Sequence, residues 1–179
     1  MATIGSSPST DRPGRSGLLF DLDEIDLSQR LLGRKELLRW NPHRGDMALL
    51  DHVVWSDDNF MRGVGLKEVR DDEFWVAGHF PGQPMYPGVL QVETGAQLAC
   101  YLFNASLGQP MIAAFLRMES ASFRHKVVPG DDLYLLCQSI KRGRRNFTCD
   151  VQGLVHDTLA FEVRISGMTL GPANWAVES

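Results

Sequence analysis

Two side chains in this sequence can move protons, and both sit where that chemistry stands out. Glu93 falls one turn into residues 89–106, where Val89, Leu90, Val92, Ala96, Leu98, Ala99, Cys100, Leu102 and Phe103 cover nearly every side of a helical wheel. A helix that is apolar all round is a buried helix. An isolated carboxylate there must stay protonated or find partners, which makes Glu93 a general-acid candidate. His79 lies in the run GHFPGQPMYPG at residues 78–88. No regular helix or strand contains such a run, because Pro removes donors and Gly frees the backbone. Imidazole is the side chain best suited to take a proton near neutral pH. Gly88, at the helix start, adds a backbone N–H with no side chain in its way and close to the positive end of the helix dipole. That donor can polarise a carbonyl and stabilise the enolate-like charge that builds when an α-proton leaves. His79 and Glu93 are fourteen residues apart, which does not itself put them in contact. A loop followed by a helix can hold them apart in one subunit, and a dimer can set each against the other's partner.

Periodicity predicts the elements that position these groups. Residues 18–40 carry Leu27, Leu31, Leu32, Leu37 and Leu38 at roughly helical spacing, interrupted by Gly33, which predicts one or two short helices. Residues 47–55 and 59–69 read as strands, the second alternating Phe60, Arg62, Val64 and Leu66, with turn chemistry at Ser56-Asp57-Asp58-Asn59 between them. Beyond Gly108-Gln109-Pro110, strands are predicted over residues 111–126, 132–141, 146–156 and 159–169, separated by short turns. One long helix with strands joined by short links implies an α+β roll, an antiparallel sheet curved around the helix, since short links cannot make parallel crossovers. A single sheet of this kind has open edges that a second copy would cover. Residues 1–17, dominated by Gly, Ser, Pro, Thr and charge, are expected to form a disordered tail, leaving residues 18–179 as one domain.

Composition narrows the class. The 179 residues are 44% hydrophobic and 22% charged, without an apolar run near the roughly 18 residues a membrane span needs, so membrane insertion is not expected. A net charge of -4 argues against a general nucleic-acid binder, which draws affinity from an excess of Lys and Arg. Cys100, Cys137 and Cys149 form no CxxC pair, which speaks against a disulfide framework or zinc knuckle and for a reducing compartment. The N-terminus lacks the basic-then-apolar pattern of a secretory signal, and a cytoplasmic protein is expected.

The run at residues 78–97, GHFPGQPMYPGVLQVETGAQ, resembles the GHFPxxPxxPGVLxxExxAQ signature of the β-hydroxyacyl-acyl carrier protein dehydratases of type II fatty acid synthesis. Pro42-His43-Arg44 before Leu49-Leu50-Asp51 is similar to the family's PHR...LLD opening, and Phe123-Arg124 with Val127-Val128-Pro129-Gly130-Asp131 to its F...VxPGD segment. The resemblance spans residues 37–168. It implies a hot-dog fold and a homodimer, in many members assembled as a trimer of dimers. It also implies an acyl carrier protein as partner, and neither metal nor redox cofactor. His79 matches the catalytic histidine, Glu93 the acid contributed by the opposite subunit, and Gly88 the glycine whose N–H binds the thioester carbonyl. Phe80, Pro87, Val89 and Gln97 fall at motif positions expected to line the substrate. The sibling branch that also isomerises the double bond carries Asp at the acid position, so Glu93 favours the plain dehydratase. The chain departs from the pattern at Gly45-Asp46-Met47, Met85-Tyr86 and Gln91-Val92-Glu93-Thr94-Gly95, where chain length and pathway would be set.

Plainer readings stand beside these. A lone loop histidine is more often structural than catalytic, and His43, His52, His125 and His156 are read as structural. Pro87 and Gly88 are compatible with a simple helix N-terminus. Lys141, Arg142, Arg144 and Arg145 read as a solvated turn, with carrier docking as the rival role, for which Arg124 and Lys126 are also candidates. The competing functions are a hot-dog acyl thioesterase and a non-catalytic acyl-binding module.

Overall fold

The computed structural model describes residues 17–174. The tail expected over residues 1–17 lies outside them except at Gly17, whose carbonyl accepts a hydrogen bond from Gln152 Nε2 at 2.9 Å. In chain order the elements are α1 (Arg34–Trp40), a 3-10 turn (Gly45–Met47), β1 (His52–Ser56), β2 (Arg62–Glu68), α2 (Gly88–Leu107), β3 (Met111–Phe123), β4 (Asp132–Arg142), β5 (Asn146–Val155) and β6 (Thr158–Pro172). The six strands form one sheet in the order β1-β2-β4-β5-β6-β3, every pair antiparallel. A long helix lies against this sheet in the expected α+β, hot-dog arrangement.

Helix α2 is enclosed because it has no polar face to turn outward. Its Leu98, Ala99, Tyr101, Leu102 and Phe103 share one core with Leu133, Leu135, Val151, Phe161, Val163 and Ile165 of the sheet. Alternation along β2 sorts the two faces: Gly63 and Gly65 let Leu102 and Leu98 approach closely from the helix side, while Val64 and Leu66 point the other way. The helix comes down on β5 at Gly95, where a Cβ would lie 2.6 Å from Val151 Cγ1. It ends at Gly108, whose left-handed φ of 68° suits glycine.

On the far face of the sheet, Phe20 and Leu22 of the N-terminal segment pack on Val54, Val64, Leu66, Leu136 and Leu154. The leucine spacing over residues 18–40 predicted one or two helices, and only Arg34–Trp40 is helical. Asp21 and Asp26 accept the N–H groups of Asp23 and Ser28 at 2.9 and 3.0 Å, local turns that compete with a helix. The strand predicted from residue 47 begins only at His52, since the N–H groups of Leu49 and Leu50 donate to Gln97 Oε1 at 3.0 and 3.1 Å instead of joining the ladder.

The two sheet edges differ. Leu32 bridges to Val53 along β1, whereas β3 pairs with β6 on one side and ends the sheet on the other. Along β3, Ile112, Phe115, Leu116, Met118 and Phe123 are between 38% and 57% exposed. A long apolar edge is a template for another strand. Among the described residues, no helix is long and apolar enough to cross a membrane.

Gly95→Val is expected to destabilise the protein by roughly 1–3 kcal/mol through overpacking against Val151. Thermal unfolding followed by circular dichroism should show a lowered Tm, and Val151→Ala in the same chain should recover part of the loss.

Candidate active site

The loop before α2 holds His79 at three points. Its N–H donates to Trp75 O at 2.9 Å, its carbonyl accepts Met85 N–H at 2.7 Å, and ring Nδ1 lies 2.6 Å from Met85 O. A carbonyl only accepts, so Nδ1 carries the proton and the lone pair of the neutral ring sits on Nε2. The Phe80 ring stacks on the imidazole, with centroids 4.1 Å apart. Tyr86 ties the end of the loop down. Its N–H donates to Val127 O at 2.7 Å, and its hydroxyl is 2.7 Å from Thr94 Oγ1. Burial pushes the Tyr86 phenol well above its ordinary range, so it stays protonated.

Pro87 caps α2, and helix geometry leaves the N–H groups of Gly88 and Val89 without intrahelical acceptors. A Cβ at 88 would lie 2.8 Å from the Phe123 ring, so a larger residue there has to push that half-exposed ring aside. His79, Pro87, Gly88, Val89 and Phe123 line one open groove, with Arg124, His125 and Lys126 at its rim. Within it Val89 is exposed and Pro87 is buried, while Phe80, itself exposed, is not among the residues that line it.

Glu93 lines a different cavity of about 60 Å³, together with His43, Ala96 and Cys100, residues 113–115 of β3, and Phe147, Ile165 and Gly167. Its Oε1 accepts from Gln97 Nε2 at 2.9 Å and faces His43 Nε2 at 3.2 Å. Burial pushes its pKa up, but hydrogen bonds from His43 and Gln97, with the attraction of His43, outweigh that and hold it below the ordinary 4.5. Of the two states open to a carboxyl in this helix, the isolated chain therefore takes the partnered one. Burial, with the Glu93 charge adding to it, pushes the neighbouring Cys100 thiol up to about 12, so it is not a nucleophile at neutral pH.

Gln97 uses its whole side chain. Oε1 accepts the N–H groups of Leu49 and Leu50, while Nε2 donates to Met47 O and to Glu93. With 2% of its surface exposed, Gln97 meets the site through Glu93. The i,i+4 spacing from Glu93 signals that contact in the sequence. His43 carries no local signal, and its reading as structural missed that it faces the carboxylate across fifty residues of chain. Of the basic turn, Arg142 is committed to the carbonyls of Asn59 and Phe60 at 2.9 and 3.2 Å. The groove of His79 and the cavity of Glu93 share no lining residue, and the polar partners of the two side chains within one chain are Met85 for His79 and His43 and Gln97 for Glu93.

Comparison with known proteins identifies the family and the fold. The FabA-like domain family matches residues 41–164. The chain is 33% identical over 140 residues to a 3-hydroxyacyl-acyl-carrier-protein dehydratase FabZ of Granulibacter bethesdensis, covering 76% of this chain and 82% of that protein. Its namesake in Syntrophobacter fumaroxidans is 34% identical over 142 residues, covering 77% and 93%. Among solved structures, the dehydratase heterocomplex ApeI:P from Xenorhabdus doucetiae superposes with a TM-score of 0.66 at 15% identity, over 83% of this chain and 96% of that one. The E. coli PaaI protein of the phenylacetic acid degradation operon superposes at 0.53 and 15% identity, over 69% and 81%. At such identities these structures attest the fold. The family match covers the helix, its loop and most of the sheet, and with it the chain belongs to the FabA-like domain family, beside the FabZ dehydratases.

Proposed function

We propose that the chain dehydrates a (3R)-3-hydroxyacyl thioester on acyl carrier protein to the trans-2-enoyl thioester, in fatty acid or related acyl-chain biosynthesis. Residues 18–179 act as one hot-dog domain within a homodimer. The observation that carries this reading is the placement of the two proton-handling groups at opposite ends of one exposed edge strand. Residues 113–115 of β3 border the Glu93 cavity, and Phe123 at its far end borders the His79 groove. Antiparallel pairing of β3 with β3 of a second copy, centred near Met118, sets residues 113–115 of each opposite residues 121–123 of the other. The carboxyl of one copy then approaches the imidazole of the other, and the apolar edge is covered.

In that composite site His79 Nε2 takes the C2 proton while the Gly88 N–H holds the charge that develops on the thioester oxygen. The C3–O bond breaks and the hydroxyl leaves as water with a proton from Glu93. Glu93 must gain that proton first. Desolvation is already the largest influence on it, and an acyl tail displacing water strengthens that influence. The net reaction is loss of water, so it requires no electron carrier. Lys126 and Arg124 at the rim of the His79 groove are placed to meet an acidic carrier, although Arg124 already pairs with Glu162. The relatives named above, both 3-hydroxyacyl-acyl-carrier-protein dehydratases, support the substrate class.

A ladder of 3-hydroxyacyl-carrier substrates tests this. Enoyl absorbance is expected, whereas release of free thiol would mean a thioesterase, and binding without turnover an acyl-binding module. His79→Ala and Glu93→Gln should each lower kcat by about 10²–10⁴-fold. Co-expressing the two variants should restore roughly a quarter of wild-type turnover, because half the dimers are mixed and each of those holds one intact site. Loss of turnover in both variants with no restoration on mixing would rule out the shared site. Lys126→Ala should raise KM for the carrier-bound substrate and leave KM for a short pantetheine thioester unchanged.

The partners of Glu93 also set a pH dependence. A carboxyl whose folded pKa lies below 4.5 contributes stability that is present above that pH and lost as pH falls through the folded value. The gap in Tm between wild type and Glu93→Gln should therefore close below about pH 4.5.

A further inference from the structure

We propose that the buried Lys67–Glu73 ion pair is a positioning device for His79, acting through the backbone and indole of Trp75. Lys67 stands at the end of β2 with 1% of its side chain exposed. Its ammonium uses all three donors, on Asp51 Oδ2 at 3.1 Å, Glu73 Oε1 at 2.8 Å and the Glu68 carbonyl at 2.8 Å. Asp51 is shared with Arg34 and Arg70 at 3.4 and 3.3 Å. Glu73 turns its remaining capacity toward the catalytic loop. Its Oε1 accepts the Arg70 N–H at 2.8 Å and its Oε2 the Trp75 indole N–H at 3.2 Å.

Trp75 passes that placement on. Its carbonyl accepts the N–H groups of Gly78 and His79 at 3.1 and 2.9 Å, and its ring packs on Tyr86 with centroids 5.3 Å apart. Tyr86 follows Met85, whose carbonyl faces His79 Nδ1. The His79 backbone thus hangs from the Trp75 carbonyl, in the turn that Glu73 anchors to β2, and the imidazole is held by the Met85 carbonyl, next to the Tyr86 ring against which Trp75 packs. Stability alone does not account for the pair, because a buried ion pair exchanged for apolar groups of like volume is often neutral or stabilising. Direction sets it apart: an ammonium with three fixed acceptors holds the turn in one place, which apolar contact does not.

The inference rests on His79 being the base, and the experiment separates the two claims. In the full-length protein, Lys67→Met and Glu73→Leu are made singly and together. Each single change upsets the charge balance of the buried cluster, leaving Glu73 without Lys67 or Lys67 with Asp51 as its one counter-charge, and should lower Tm. The double change removes both charges, while Asp51 keeps Arg34 and Arg70. Its Tm should return close to wild type while kcat stays down about 10- to 100-fold with KM within about twofold, as for a misplaced base. The imidazole 15N signals of His79 should shift or broaden in the double variant. If turnover recovers together with Tm and the His79 signals match wild type, the pair is merely structural and the inference is overturned. Should the double variant not fold, Glu73→Gln, which keeps shape and an acceptor for the indole, is read by the same kcat and NMR measures. His79→Ala reports separately on the catalytic reading: retained turnover there would remove the base, while the NMR signals of the double variant would still report the strut.

Discussion

A twenty-residue helix with no polar side can be stable in water only if something surrounds it, and in this protein a curled sheet and the segment over residues 40–50 do so. Enclosure then constrains every polar group the helix carries, because a buried donor or acceptor left alone costs more than a bond contributes. Gln97 meets four partners, and Asn104 Nδ2 reaches Trp40 O at 2.8 Å and Met111 O at 3.1 Å. From the other side, Asn41 Nδ2 donates to the Gln97 carbonyl at 2.9 Å. These few polar residues join residues 40–50 and the start of β3 to the helix axis. Glu93 belongs to the same set, differing in that its partners leave one flank open to a cavity.

The two halves of the chemistry are supported in different ways. The carboxyl sits on a rigid helix and is tuned by two side chains, one from α2 itself and one from the stretch before β1. The imidazole sits on a loop with no regular ladder, and its position is set by carbonyls and by charges buried behind it. What relates the halves is β3, which runs past both cavities and leaves its outer edge unpaired. On the proposed reading, catalytic competence and assembly are therefore one question in this fold.

Most of the architecture could be read in advance where periodicity was long and uninterrupted. The central helix, predicted over residues 89–106, spans Gly88–Leu107, and β4, β5 and β6 fall within a few residues of their predicted positions. Reading failed where a side chain from elsewhere claimed the backbone. Leu49 and Leu50 look like strand residues until Gln97 takes their N–H groups, and the leucines before Gly33 look helical until aspartate turns intervene. Sequence reading does not single out Lys67 at all: nothing local at the end of its strand marks it as buried, and its burial follows from Asp51 and Glu73, which arrive from separate segments. His43 was hidden for the same reason, its partner lying on α2.

Residues 18–27 precede the family-matched segment, yet they lie across the back of the sheet and cover Val54, Val64, Leu66, Leu136 and Leu154. The chain thus brings its own cover for a surface that alternation along β2 and β4 makes greasy. Trimming to the shared segment would bare a stripe of valine and leucine to water, the sort of patch through which soluble proteins clump. The extension therefore serves as an anti-aggregation sleeve for this face, and apart from Ile140 and Leu170 the large exposed apolar residues of the sheet lie along β3.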